Sequence, residues 1–179
     1  MLYADSLEKA VYPITIPHTA TNRLPCKFTR IIIYFTDSSC LFFNDLRKFG
    51  WIKISQHPDG PKGIDVLDKK FTFPHFQSLL SKTKQPVKTF LLDQNKLAGI
   101  GNIYANETLF FAKILPTCPV KKLTTSQQKT LYRQIIKVIK LGIRHQGSSG
   151  NDKMYVLPDG TFGGHQKHFY VYQREKQPC

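Results

Sequence analysis

The sequence is poor in acidic residues. Its 179 residues include 12 Asp and Glu against 26 Lys and Arg, so the formal net charge at pH 7 is +14. The basic residues are spread through patterned segments and do not form a tail, which indicates a folded basic face. Such a face is typical of proteins that bind polyanions, most often nucleic acid. A solvated, lysine-rich surface is the alternative that composition alone leaves open.

Long apolar runs are also missing. No stretch approaches the roughly 20 apolar residues that a helix needs to span a bilayer. The opening segment MLYADSLEKAVY has Asp5 and Glu8 where a signal peptide would have its apolar run. We therefore expect a cytoplasmic protein with no membrane partner.

Cysteine is scarce and widely spaced. The four cysteines, at positions 26, 40, 118 and 179, form no C-x-x-C pair. Neither a disulfide framework nor a complete zinc site can be read from this spacing. The chain length suits one compact domain or two small ones, and no internal repeat is visible.

The first part of the chain is patterned as strands. TRIIIYFT (29–36) and CLFFND (40–45) are β-branched and aromatic, and DSS between them can turn, so they predict an antiparallel hairpin. GWIKI (50–54) predicts a further short strand. The connection at 55–70 is rich in Pro, Gly and Asp and is the best candidate for a domain boundary.

Beyond this connection the apolar residues recur at helical spacing. Three short helices are predicted, the first containing Phe76, Leu79 and Leu80, the second Val87, Phe90 and Leu91, and the third Ile103, Leu109 and Phe110. The longest predicted helix covers 124–145 and starts with Thr125 and Gln128 as a capping box. Its predicted buried face consists of Leu131, Ile135, Val138, Ile139 and Ile143.

The third short helix is preceded by the turn LAGIGN. The first backbone N–H groups of a helix have no intrahelical partner, and the helix dipole adds partial positive charge there, so an anion binds favourably. Gly99 and Gly101 let the backbone approach an anion closely, and Asn102 can cap the helix or offer its amide to a phosphate oxygen. Lys88 and Lys96 lie close enough in sequence to add charge. The turn therefore predicts a phosphate cradle, with a tightly packed helix-to-helix turn as the alternative.

Four ordered stretches resemble one known family. LLDQNKLAGIGNIYANETLFFAKILP (91–116) resembles the helix–two-turn–helix signature of the formamidopyrimidine-DNA glycosylase and endonuclease VIII family, and the formamidopyrimidine branch most. TRIIIYFTDSSCLFFNDLRKFG (29–50) resembles the end of that family's N-terminal β-sandwich, with its D-x-R-x-F-G turn. GIRHQGSS (142–149) resembles the end of its last long helix, and FYVYQREKQPC (169–179) the start of its zinc finger.

The resemblance implies an α+β fold in four parts. Residues 1–54 correspond to the end of the N-terminal β-sandwich and 55–74 to a linker. Residues 75–165 correspond to the helix–two-turn–helix DNA-binding domain with its lesion-capping loop. Residues 166–179 correspond to the start of a zinc-finger hairpin.

The resemblance also implies a function, which is base-excision repair of oxidised DNA. The family's enzymes are bifunctional glycosylases and AP lyases that remove oxidised purines such as formamidopyrimidine and 8-oxoguanine. The expected partner is double-stranded DNA with an oxidised base or an abasic site, bound by a monomer in the nucleoid.

Five residues match family positions that contact DNA. Lys88, Gly101 and Asn102 match the phosphate contacts around the lesion. Arg47 and Phe49 match the residues that enter the duplex when the damaged nucleotide flips out. An aromatic ring suits the wedge position, because it restores the stacking that is lost when the base flips out. A guanidinium can hydrogen-bond the orphaned base.

Two family features have no full counterpart here. The family's catalytic group is an N-terminal proline followed by glutamate, and its amine attacks the deoxyribose C1′. This sequence begins Met-Leu-Tyr, so we assign no catalytic residue and expect the chain itself to be inactive. Cys179 matches the first of four zinc ligands, and one thiolate cannot hold a tetrahedral zinc, so zinc is expected in the full-length family and not in this chain.

We therefore expect the middle part of a longer repair enzyme. A non-catalytic helix–two-turn–helix protein that binds DNA or RNA is the alternative.

Overall fold

The computed structural model describes residues 24–46, 48–57, 60, 62–149, 157, 161–175 and 177. Their contacts divide the chain into two compact units, one containing the described residues up to 57 together with Thr161, and the other containing the remaining described residues. The first unit contains a β-hairpin and the second contains the helices. Among the described helices, none has the length and apolar character needed to cross a bilayer.

The hairpin of the first unit is formed as predicted. Strand β1 (Thr29–Tyr34) pairs antiparallel with strand β2 (Cys40–Asn44), and Ile32 lies opposite Phe42. β-Branched and aromatic residues on both strands favour this extended pairing. The prediction of a hairpin is confirmed.

The strand predicted at 50–54 is wrong. Residues 51–55 adopt no regular secondary structure, and the Trp51 and Ile54 side chains are 69% and 98% exposed. An alternating pattern indicates a strand only where a neighbouring strand supplies hydrogen bonds. Within the described residues, the hairpin sheet contains β1 and β2 alone.

The second unit contains the four predicted helices. They are α1 (Phe73–Ser81), α2 (Val87–Leu92), α3 (Asn102–Ala112) and α4 (Thr125–Arg144). Two short strands, β3 (Ile64–Asp65) and β4 (Leu97–Ala98), pair in parallel and hold the turn before α3 against the start of the unit. The core includes the fully buried side chains of Phe76, Val87, Phe90, Leu91, Leu109, Leu131 and Ile135.

Helix α4 differs from its prediction at both ends. Its capping box is formed by Thr124 and Gln127, one residue earlier than predicted, because the Thr124 hydroxyl accepts from the Gln127 N–H at 3.3 Å and the Gln127 side chain accepts from the Thr124 N–H at 2.9 Å. Ile143, which was predicted to be buried, is 60% exposed. The neighbouring Gly142 is buried instead, and it packs so closely against Tyr104 of α3 that a side chain at this position would collide with the tyrosine ring.

A buried carboxylate on α3 holds the C-terminal segment of the described chain. Glu107 is only 2% exposed, and its two oxygens accept backbone N–H groups from Tyr170, Val171 and Tyr172 at 2.8–2.9 Å. The Tyr170 ring also packs edge-on against Phe111, with 4.8 Å between centroids. The carboxylate thus satisfies three donors at once, which compensates for its burial.

Three histidines join the end of α4 to a 3₁₀ helix at His165–His168. The Nδ1 atoms of His145 and His165 are 3.1 Å apart, so one imidazole donates to the other, and the His145 ring stacks on His168. Burial lowers the pKa of His165, and the neighbouring His145 and His168 lower it further against the opposing effect of Glu107. Desolvation, His168 and Arg144 also lower the pKa of His145. His145 and His165 therefore favour the neutral imidazole.

Replacing the buried carboxylate is expected to destabilise the fold. Glu107→Ala leaves three backbone N–H groups without their acceptor, and an unsatisfied buried donor costs about 1–3 kcal/mol. We expect a loss of about 3 kcal/mol in the free energy of unfolding, measured by denaturant titration. Glu175→Ala, which removes an exposed carboxylate, serves as the control and is expected to change stability by less than about 0.5 kcal/mol. Equal losses in the two variants would contradict the assigned role of Glu107.

Stability is also expected to fall in mild acid. Because the pKa values of His145 and His165 lie below the ordinary value of about 6.5, the unfolded chain binds protons first as pH decreases. The stabilisation is complete above that value and is lost as pH falls through the folded-state pKa. Thermal unfolding between pH 7.5 and 5 measures this decline. The variant His165→Phe should make the loss of stability with falling pH shallower, whereas His75→Gln, at an exposed position, should not change it. Identical pH profiles for wild type and His165→Phe would show that the histidine cluster does not cause the loss.

Candidate nucleic-acid interface

The turn before α3 leaves open space in front of its glycines. Gly99 has φ of +90°, in the left-handed region that favours glycine, and Gly101 is the N-cap residue of α3 in an extended conformation. A Cβ added to either glycine would meet no atom within 4 Å. Tight packing, the alternative explanation of this turn, would need a neighbouring atom there. The open space instead suits a ligand at the helix N-terminus.

Gln94 fixes the shape of this turn. Its side-chain amide donates to the Ile100 carbonyl at 2.8 Å and accepts from the Gly99 N–H at 3.2 Å. Ile100 itself is 1% exposed, so its side chain anchors the turn in the core between the two glycines. Gln94 could not be predicted from the sequence, because a polar residue in a loop gives no periodic pattern. The turn is therefore preorganised without a ligand.

Asn102 is the first residue of α3 and does not cap it. The predicted capping role is wrong, because Gly101 is the N-cap and α3 has no side-chain cap. The Asn102 side chain is exposed, and its oxygen accepts from the Asn106 amide at 3.4 Å. This contact orients the Asn102 side chain, and its own amide nitrogen remains a donor that suits an anion.

The two lysines expected near the turn differ in their surroundings. The Lys96 ammonium lies 2.7 Å from the Asp93 carboxylate and donates to Gln85 at 3.1 Å. The same ammonium is the main cause of the lowered pKa of Asp93. Its charge is therefore largely paired within the protein. Lys88 lies on α2 with its side chain partly exposed, and its role as a phosphate contact stays a prediction.

In the first unit, Asp45 closes the predicted D-x-R-x-F-G turn. Its carboxylate accepts from the Lys48 and Gly50 N–H groups at 2.8 and 2.6 Å. A Cβ at Gly50 would lie 2.6 Å from the tip of the Phe43 ring and 3.0 Å from the Asp45 carboxylate, so a larger residue there would have to displace these side chains. Phe49 between them is 83% exposed and is not a core residue. Arg47 lies outside the described residues.

A metal site cannot be built from the described residues. They contain no group of three or more His, Cys, Asp and Glu that could hold a metal ion. Cys26, Cys40 and Cys118 are free thiols. Cys179, the predicted zinc ligand, lies outside the described residues.

Comparison with known proteins gives consistent matches. The family model of the formamidopyrimidine-DNA glycosylase H2TH domain matches residues 62–153. Formamidopyrimidine-DNA glycosylases from Lactiplantibacillus plantarum and Thermus thermophilus are each 36% identical to this chain over 162 residues. These matches cover 86% and 87% of this chain but only 58% and 60% of the relatives, so the chain spans about three fifths of their length.

Solved structures match as well. The crystal structure of MutM (Fpg) from Thermus thermophilus aligns with a TM-score of 0.76 at 36% identity, covering 87% of this chain and 60% of that one. The Lactococcus lactis Fpg in complex with DNA containing an abasic site aligns with a TM-score of 0.57 at 30% identity, covering 65% of this chain and 42% of that one. Because the H2TH model matches more than half of the 179 residues and both sequence and fold agree, the chain belongs to the formamidopyrimidine-DNA glycosylase family.

Proposed function

We propose that this chain is the damaged-DNA-binding part of a base-excision repair glycosylase with AP lyase activity. Its partner is double-stranded DNA that contains an abasic site or an oxidised purine such as formamidopyrimidine or 8-oxoguanine. The chain acts as a monomer, and since its partner is chromosomal DNA, we propose that it works in the nucleoid in the cytoplasm.

The observation that carries this proposal is the open, preorganised glycine turn at the head of α3. The turn leads directly into the first backbone N–H groups of α3, which have no intrahelical acceptor, and the whole chain has a formal net charge of +14. A phosphate group fits both the geometry and the charge. The abasic-site DNA in the Lactococcus lactis complex supports the choice of a nucleic acid over a small anion.

Each candidate residue has a proposed role. Gly101 and Asn102 bind a phosphate that flanks the lesion, and Lys88 adds a second phosphate contact. Phe49 enters the duplex as a wedge, for which its 83% exposure is suitable, and Arg47 pairs with the orphaned base. We also propose the domain boundaries that the sequence predicts, after residues 54, 74 and 165.

No step of the proposal uses a metal. In the family zinc organises a finger whose first ligand matches Cys179, and the described part of this chain contains no group of three or more residues that could hold a metal. The contacts proposed above depend only on backbone amides, side-chain donors and one aromatic ring.

Binding to duplex DNA tests the proposed function directly. A duplex with a tetrahydrofuran abasic-site analogue and the matched undamaged duplex are titrated with the purified chain over a series of salt concentrations. Phosphate contacts release counterions, so we expect affinity to fall steeply with salt for both duplexes, with a slope of about 0.9 per contact. Affinity that is insensitive to salt would contradict phosphate binding, and tighter binding to a structured RNA than to either duplex would favour an RNA-binding protein instead.

Asn102 provides a sharper test of the cradle. Asn102→Ala removes a donor to phosphate and is expected to weaken binding roughly 10-fold for every sequence, because a phosphate contact reads no base. Asn102→Asp keeps the shape but places a negative charge in the cradle, so it should bind more weakly still. Asn95→Ala, a change at a nearby exposed position, is the control and should bind like wild type. Unchanged affinity in both Asn102 variants would remove this residue from the interface.

A further inference from the structure

One face of α4 has an unusual concentration of positive charge. At about 100° per residue, five basic side chains fall within an arc of about 80° and extend over about 22 Å of the helix. We call them the α4 basic stripe: Lys129, Arg133, Lys137, Lys140 and Arg144. All five are exposed. The stripe lies opposite the buried face of the helix, which contains Leu131, Ile135 and Val138.

The charge of the stripe is not balanced within the helix. The 20 residues of α4 include no Asp or Glu. Like charges four residues apart destabilise a helix, and Lys129, Arg133 and Lys137 form two such pairs in succession. Lys129 and Lys137 also lie over the rings of Phe73 and Phe111, which orients their stems along the surface. A negatively charged partner on this face would offset the repulsion between these side chains, which favours binding.

The chemistry of the stripe favours a nucleic-acid backbone over other partners. Near its first basic residue lies the exposed Ser126, whose hydroxyl can donate, whereas the Thr130 hydroxyl already donates to the Ser126 carbonyl at 3.0 Å. A protein interface usually has an apolar and aromatic centre, and a membrane-binding helix needs an apolar face toward the lipid. Most apolar side chains of α4 instead pack inward, on the core. Duplex DNA presents one negative charge per roughly 1.7 Å of its axis, so charge and hydroxyl donors are sufficient to bind it.

The stripe is separate from the cradle at the head of α3. Helix α3 packs against the buried face of α4, where Tyr104 contacts Gly142. The stripe lies on the opposite side of α4, and its edge residue Lys137 reaches the Phe111 ring near the end of α3 that is farther from the cradle. We propose that the α4 basic stripe is a second nucleic-acid-binding surface, which contacts duplex phosphates without reading sequence or damage. The choice of duplex DNA as its partner rests on the proposed function, whereas the surface itself does not depend on the cradle.

The salt dependence of binding to undamaged duplex tests this proposal. Arg133→Gln combined with Lys140→Gln removes two exposed stripe charges, and glutamine keeps helix propensity. The matched control, Lys69→Gln with Lys70→Gln, removes the same charge from an exposed segment before α1. We expect the stripe variant to flatten the slope of log affinity against log salt by about 1.8, since each lost phosphate contact contributes about 0.9, and the control to keep the wild-type slope.

Two outcomes would overturn the proposal. One is an equal slope in the stripe and control variants, and the other is a stripe variant that loses affinity for polyglutamate more than for DNA, which would indicate an acidic protein partner. A different result would count against the proposed function alone. In that case Asn102→Ala binds the abasic-site duplex like wild type, while the stripe variant still shows a flatter slope of log affinity against log salt. Thermal unfolding of every variant confirms that the fold is retained.

Discussion

The structure of the second unit depends on the contact between the Glu107 carboxylate and three consecutive backbone amides. Helix α3 begins at the glycine turn and contains Glu107 in its middle, so a single helix both presents the candidate cradle and holds residues 170–172. Such a contact is strong because a charged acceptor serves three donors, and it is costly to break because both sides are withdrawn from water. The C-terminal segment is thereby tied to the helix that is proposed to bind DNA. Loss of the Glu107 carboxylate would leave the three amides of that segment without their acceptor.

The glycine turn before α3 is preorganised by contacts within the protein. A loop that orders only when it meets a phosphate must lose conformational entropy at that moment, which weakens binding. Here the Gln94 side chain bridges Gly99 and Ile100, and the Ile100 side chain is already in the core. The glycines can therefore leave their front surface open while the turn keeps its shape. The hairpin unit uses the same principle, since Asp45 closes its turn and leaves Phe49 exposed.

The elements that the sequence could predict are those determined by local pattern. The hairpin and all four helices were predictable, because period and residue type determine them directly. The strand predicted at 50–54 does not form, because its apolar residues need a partner strand, which no local pattern specifies. Glu107 and Gln94 were also missed, since a buried carboxylate or a bridging amide becomes meaningful only when distant backbone donors and acceptors meet it. The glycine turn itself predicted the cradle residues, but the paired state of Lys96 depends on tertiary structure.

The basic surface follows from how the few acidic residues are used. Asp37, Asp65 and Asp68 each accept a backbone N–H two residues ahead, in turns that bend the chain, and Glu107 satisfies backbone amides as well. These four carboxylates stabilise loops and a chain segment through the backbone. Asp93 also accepts a backbone N–H, from Asn95, while it forms its ion pair with Lys96. The formal charge of the chain is +14, and acidic residues interspersed among the lysines would weaken the positive potential at the surface. Helix α4 contains no acidic residue. The positive field of its exposed lysines and arginines is therefore left for a partner outside the protein.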